Sequence, residues 1–135
     1  MIYVTRKVHF CASHRLFNPE YSDLQNDKVF GICNNPLGHG HNYELEVTVR
    51  GEIPNETGMV IDLKKLKDLL QREIVNNVDH KNLNHDVDFL KNIIPTAENL
   101  AVKFWRLLEE KIDNGTLYEI KLFESPNNFV TYRGE

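Results

Sequence analysis

Residues 39–50 run His39-Gly40-His41-Asn42-Tyr43-Glu44-Leu45-Glu46-Val47-Thr48-Val49-Arg50. Tyr43, Leu45, Val47 and Val49 alternate with Glu44, Glu46, Thr48 and Arg50. That is the two-residue period of a strand with one face against a core. His41 shares the parity of the apolar side, and His39 lies two residues earlier, so both imidazoles point the same way along an extended segment.

Upstream, residues 2–14 show the same period. Val4, Val8, Phe10, Ala12 and His14 share one parity, Thr5, Lys7, His9 and Ser13 the other, with Arg6 as the one misfit. If the two strands pair antiparallel, the end of the first lies beside the start of the second. His14 then meets His39 and His41. Three neutral imidazoles at one place suit Zn²⁺ with a fourth position open, whereas a structural zinc is closed by four protein ligands. His9, on the other strand face, and His85, between the helices, read as ordinary histidines.

Downstream, 51–58 is rich in turn residues, and Asp62 is suited to cap a helix carrying Leu63, Leu66, Leu70 and Ile74. Residues 76–88 break that pattern. Thr96 caps a second helix with Glu98 in its first turn, Leu100, Phe104, Leu107, Leu108 and Ile112 as its apolar side, and Asn114-Gly115 as its close. Residues 117–123 and 128–132 read as two short strands around a hairpin-like connection at 124–127. The order ββααββ predicts an α+β fold, a four-stranded antiparallel sheet with two helices on one face. Its open edges invite pairing between subunits.

The segment 15–38 must leave and return to the same strand end, and it is expected as a long functional loop. Cys33 sits in it, and three readings of the thiol stand open: a fourth metal ligand, a general base, or a plain buried thiol. Asp79-His80, just past the first helix, is either a cap and turn or a carboxylate–imidazole pair for proton transfer.

The 135 residues fit one domain over 1–135, with 41% hydrophobic and 27% charged residues. The net charge of -4 argues against a nucleic-acid partner. No apolar run is long enough to span a bilayer. The start lacks the pattern of a signal peptide, so Cys11 and Cys33 are expected as reduced thiols in a cytoplasmic protein.

Phe10-Cys11-Ala12-Ser13-His14-Arg15, the run from Phe30 to Tyr43, Thr57-Gly58-Met59-Val60, Asp79-His80-Lys81-Asn82-Leu83, Thr96-Ala97-Glu98-Asn99, Phe123-Glu124 and Tyr132-Arg133-Gly134-Glu135 follow one another along nearly the whole chain. Together they closely resemble the 6-pyruvoyl-tetrahydropterin synthase family. The resemblance implies the tunnelling fold, in which the sheets of three subunits join into a barrel and two rings stack into a homohexamer. It implies zinc on His14, His39 and His41, and a proton-transfer triad of Cys33, Asp79 and His80 assembled at a subunit interface. It places Glu124 as the pterin anchor, with Thr96 and Glu98 as further pterin contacts; position 97 is Ala where related animal enzymes often carry Thr.

The implied substrate is 7,8-dihydroneopterin triphosphate, which loses triphosphate while its side chain undergoes an internal redox rearrangement. Arg15 and Lys28 are cations near the site in sequence, without an assigned place in a triphosphate clamp. A sister activity in the family makes 6-carboxy-tetrahydropterin for queuosine synthesis. The five residues between Cys33 and His39, with their Asn-Asn-Pro, look more like the pyruvoyl enzymes. From other classes, a zinc-stabilised binding module would use Cys33 as fourth ligand. A His₃ zinc hydrolase would leave Glu124 and Asp79-His80 without a task.

Overall fold

A computed structural model describes all of residues 1–135. Strand β1 (Ile2–His14) and strand β2 (His39–Gly51) pair antiparallel along their full lengths, from Ile2↔Gly51 to His14↔His39. Directly opposed residues share a face. Val8, Phe10 and Ala12 therefore stand beside Leu45, Tyr43 and His41 on one side of the sheet. Strand β4 (Thr116–Phe123) continues this face, with Ile120 opposite Val47 and Leu122 opposite Leu45, and strand β5 (Phe129–Tyr132) closes the hairpin.

One layer of helices covers that face. Helix α2 (Leu63–Leu70) is capped by Asp62, whose carboxylate accepts from Lys64 N at 2.9 Å. Helix α4 (Ala97–Leu108) is capped by Thr96, whose hydroxyl accepts from Asn99 N at 3.2 Å. One cluster of 26 buried apolar residues joins the sheet face to both helices. The opposite face carries Lys7, Glu44 and Glu46, paired at 3.4 and 3.7 Å across partly solvated side chains. Such pairs add little to stability.

The architecture departs from the sequence reading in four places. The sheet has five strands in the order β3-β1-β2-β4-β5, because Lys81–Asn82 (β3) pairs parallel with Ala12 and Ser13. The sheet is thus mixed rather than purely antiparallel. The segment 15–38 is not all loop: it holds helix α1 (Asp23–Phe30) and a 3₁₀ turn at Gly31–Asn34. Ser22 and Gln25 form a reciprocal capping box that starts α1.

The helical run that begins with α2 does not break at residue 76. A π turn at Gln71–Val75 leads into the short helix α3 (Asn76–Val78). The inserted residue turns Ile74, Val75 and Val78 all inward, a burial that a straight α-helical period does not predict. Leu63, by contrast, is exposed. Finally, α4 ends at Leu108, well before Asn114-Gly115, which instead lead into β4.

Arg6 is the polar residue on the core face of β1, opposite Val47. Its Nε is buried without a hydrogen-bond partner. Leu45, 0% exposed, lies at the centre of the same face. Leu45→Ala is expected to lower unfolding free energy by about 2–5 kcal/mol through the cavity it leaves. Arg6→Met, which keeps the stem and removes the unpaired Nε, should raise it by about 1 kcal/mol. Denaturant midpoints of the two variants against the parent check both signs.

Candidate active site

The register of β1 against β2 delivers the three imidazoles to one spot. His14 faces His39 directly, and His41 stands on the same side two residues along β2. Their ring centroids are 4.7 to 5.1 Å apart, and one ligand nitrogen from each lies within 4.8 Å of the others. His14 is fully buried, while His39 and His41 are half-buried, so the cluster is walled on one side and open on the other.

Three observations test whether a metal ion fits. First, His14 Nδ1 lies 2.8 Å from Pro95 O. A carbonyl only accepts, so this nitrogen carries the proton and Nε2 holds the lone pair. Second, His14 Nε2 and His39 Nε2 face each other at 3.1 Å. Tetrahedral ligands on zinc–nitrogen bonds of the usual length sit about 3.3 Å apart. Third, His41 Nε2 is buried with no hydrogen bond. Glu124 Oε1 approaches it at 3.5 Å, an ion-pair distance at which no hydrogen bond forms. Burial holds the pKa of His14 and of His41 below the ordinary imidazole value, partly opposed by the charge of Glu124. Neutral imidazoles are the form that binds metal. The donor set fits a divalent ion, zinc among the candidates, with three protein nitrogens and room for another ligand.

Glu124 follows β4 in the parity of Ile120 and Leu122, which points its carboxylate to the imidazole side. Thr96 and Glu98 stand at the start of α4, immediately after the carbonyl that orients His14. Thr96 is occupied by capping, while the Glu98 carboxylate is exposed with no partner in the chain. Ala97 is buried, so no polar contact is offered there.

Asp79 and His80 are held by the edge of β1. Asp79 Oδ1 accepts from Cys11 N at 2.9 Å and lies at an ion-pair distance of 3.0 Å from His80 Nδ1, and His80 N donates to Cys11 O at 2.6 Å. His80 takes a left-handed backbone, φ 59°, which two bonds to one residue enforce. The Cys11 amide is the main cause holding the Asp79 carboxyl below its usual range, so it stays ionised. Its partner ring is 82% exposed.

Cys33, in the 3₁₀ turn after α1, is half-buried and makes no side-chain hydrogen bond. Within one chain, no bond joins it to His80 or to the three-imidazole cluster. The structure therefore brings together His14, His39 and His41, and separately Asp79 with His80. Sequence reasoning missed two supports of the site. One is the Pro95 carbonyl, which carries no side-chain signal. The other is Tyr43, read only as a core residue. Its ring stacks on Phe10 with centroids 4.7 Å apart, and its hydroxyl lies 3.4 Å from His14 Nδ1. Burial pushes the Tyr43 pKa up, keeping the hydroxyl protonated. A polar-tipped aromatic two residues after His41 was the available hint.

The sequence model of the family described as 6-pyruvoyl tetrahydropterin synthase matches residues 3–135. The human 6-pyruvoyl tetrahydrobiopterin synthase is 48% identical over 132 residues, covering 98% of this chain and 91% of that protein. The 6-carboxy-5,6,7,8-tetrahydropterin synthase of Rickettsia bellii is 32% identical over 149 residues, covering 96% of this chain and 99% of that protein. A structure of Caenorhabditis elegans 6-pyruvoyl tetrahydropterin synthase superposes with a TM-score of 0.93 at 41% identity, covering 99% of this chain and 96% of that one.

Gly38 offers a direct probe of the imidazole geometry. Its φ is 75°, and a Cβ there would lie 2.8 Å from His14 O. Gly38→Ala must push His14 away from His39, and zinc affinity is expected to fall about tenfold or more, as when a ligand's support is lost. Titrating zinc into metal-free protein checks this: the parent is expected to bind one ion per chain, and His39→Ala is expected to lose the site.

Proposed function

The chain belongs to the 6-pyruvoyl tetrahydropterin synthase family, and on that premise we propose that it is a zinc-dependent lyase acting on 7,8-dihydroneopterin triphosphate. The product is 6-pyruvoyl-tetrahydropterin, and triphosphate leaves. The observation that carries this reading is the convergence of His14, His39 and His41 on one place, with the His41 ring nitrogen left unpaired.

The chemistry balances without an external redox partner. Breaking the C–O bond to triphosphate with loss of the neighbouring C–H yields an enol that becomes a ketone. Oxidation of the other side-chain carbinol supplies the two electrons and two protons that reduce the ring C=N. Bound on the three imidazoles, zinc supplies Lewis acidity to the side-chain hydroxyls and so acidifies the adjacent C–H bonds.

The chain's own groups do the rest. Glu124 accepts the donor pair of the pterin, its amino group and ring N–H, through both carboxylate oxygens. Glu98 and Thr96, at the start of α4, are the further pterin contacts in this reading. Cys33 takes and returns protons at side-chain carbon. His80, its Nδ1 tied to Asp79, keeps Nε2 free to exchange a proton with the thiol.

Cys33 and His80 belong to different chains in this reading. Ile32 and Leu37, flanking Cys33, are 93% and 92% exposed, as expected of apolar residues awaiting a neighbouring subunit. A hexamer of two trimeric rings, with sheets joined at β5 and at the part of β1 that the two-residue β3 leaves uncovered, supplies that neighbour.

Incubating the purified protein with 7,8-dihydroneopterin triphosphate, with and without a chelator, tests the reading by mass spectrometry. A chelator-sensitive pyruvoyl product is expected. Release of acetaldehyde with a carboxy product would assign the sister activity instead, and no turnover would sink both. Cys33→Ala should keep one zinc per chain and lose turnover by roughly 10²–10⁴. Zinc loss in that variant would make the thiol a ligand and the site structural.

A further inference from the structure

Arg15 stands where the three parts of the site meet. It directly follows His14. One amide clasps its main chain: Arg15 N donates to Asn84 Oδ1 at 2.8 Å, and Asn84 Nδ2 donates to Arg15 O at 2.9 Å. Asn84 lies just past β3, in the segment that carries Asp79 and His80. The guanidinium reaches the other way. Its Nε donates to Asn34 O at 3.0 Å and its Nη2 to Asn34 Oδ1 at 2.9 Å.

Asn34 is the residue after Cys33 and is only 5% exposed. It extends the connection, its Nδ2 donating to Asp27 Oδ1 at 2.7 Å. The main chain of Cys33 is anchored at the same place, where Leu16 N donates to Cys33 O at 2.9 Å. Phe17 lies against the guanidinium, 4.3 Å from its carbon to the ring centroid. An arginine beside a triphosphate-binding site invites the reading of an anion clamp, but two of the five N–H donors of Arg15, on Nε and Nη2, already face the carbonyl and the side-chain amide of Asn34.

The fork of a guanidinium matches these two acceptors at once, and a lysine ammonium cannot hold both from one fixed position. Loss of the fork leaves the oxygen of a buried amide without its partner. The turn bearing Cys33 is thereby stitched to the strand end that supplies His14.

We propose that Arg15 is a positioning residue: through Asn34 its guanidinium fixes the Cys33 turn against the metal half of the site, at the strand end where its main chain, clasped by Asn84, already holds the segment of Asp79 and His80. It acts on substrate only through these neighbours. The proposal rests on Cys33 as the proton-moving group.

The test uses Arg15→Met, which keeps the stem, together with Asn34→Ala and the double variant. Alkylation of Cys33 by iodoacetamide is followed by peptide mass spectrometry, with Cys11 as internal reference. Zinc content, kcat, KM and inhibition by inorganic triphosphate are measured in parallel. Each single variant is expected to change the Cys33 alkylation rate severalfold relative to Cys11. Each should keep one zinc per chain and lose about ten- to a hundredfold in kcat, as for small misplacements of a reacting group. KM should stay nearly constant, and the double variant should be no worse than the poorer single one, as for two members of one network.

Arg15→Lys, which keeps charge and stem, carries the same expectation at smaller size where Arg15→Met does not fold. Unchanged alkylation with unchanged kcat overturns the proposal. So does a raised KM with weaker triphosphate inhibition and normal alkylation, which would make Arg15 a clamp. Losses that multiply in the double variant also overturn it. The alkylation readout needs no turnover, so failure of the lyase reading and failure of this one are seen separately.

Discussion

The pairing of β1 with β2 is the constraint on which the rest depends. Thirteen consecutive residue pairs, Ile2↔Gly51 through His14↔His39, hold one register. A slip of one residue would turn the face bearing Val8, Phe10 and Ala12 to solvent. The same slip would separate His14 from His39. The core and the imidazole cluster are therefore one decision: the apolar residues that make the register stable also set the distance between ligand nitrogens. Burial then keeps two of those imidazoles below their ordinary pKa, in the neutral form a metal needs.

Around this frame the polar groups are arranged by main-chain contacts. The Pro95 carbonyl sets the tautomer of His14, and it does so from the residue before the cap of α4. The N–H and C=O of Cys11 hold Asp79 and His80 at the sheet edge. The side chain of Asn84 and the fork of Arg15 fasten the long excursion between β1 and β2. Each support comes from a segment distant in sequence, and each pairs a backbone or amide group of its partner. Specificity of position thus comes from groups with no reactivity of their own.

Much of this was legible in the one-dimensional pattern. Alternation marks both bounds of β1, and parity places His14, His39 and His41 on one side. Capping chemistry marked the starts of α2 and α4 at Asp62 and Thr96. Helix α1 was missed because its apolar residues mark out no buried face: its one buried residue is Asn26. The Ser22–Gln25 capping box was its readable sign. The fifth strand was missed for a different reason. Two residues, Lys81 and Asn82, pair through their backbone and show no alternation to detect.

Residue order alone settles whatever has a local period: where strands and helices run, which face of each is apolar, and that His39 and His41 point together. Those features follow from backbone geometry, which repeats every two or 3.6 residues. Residue order does not settle which carbonyl orients His14, that Glu124 leans to His41 at 3.5 Å, or that Arg15 turns to Asn34 rather than outward. These are contacts between segments 19 to 83 positions apart, the first set by 14 and 95, the second by 41 and 124, the third by 15 and 34. No repeating pattern encodes them. They exist only once the core has packed and brought unlike pieces of chain within bonding distance.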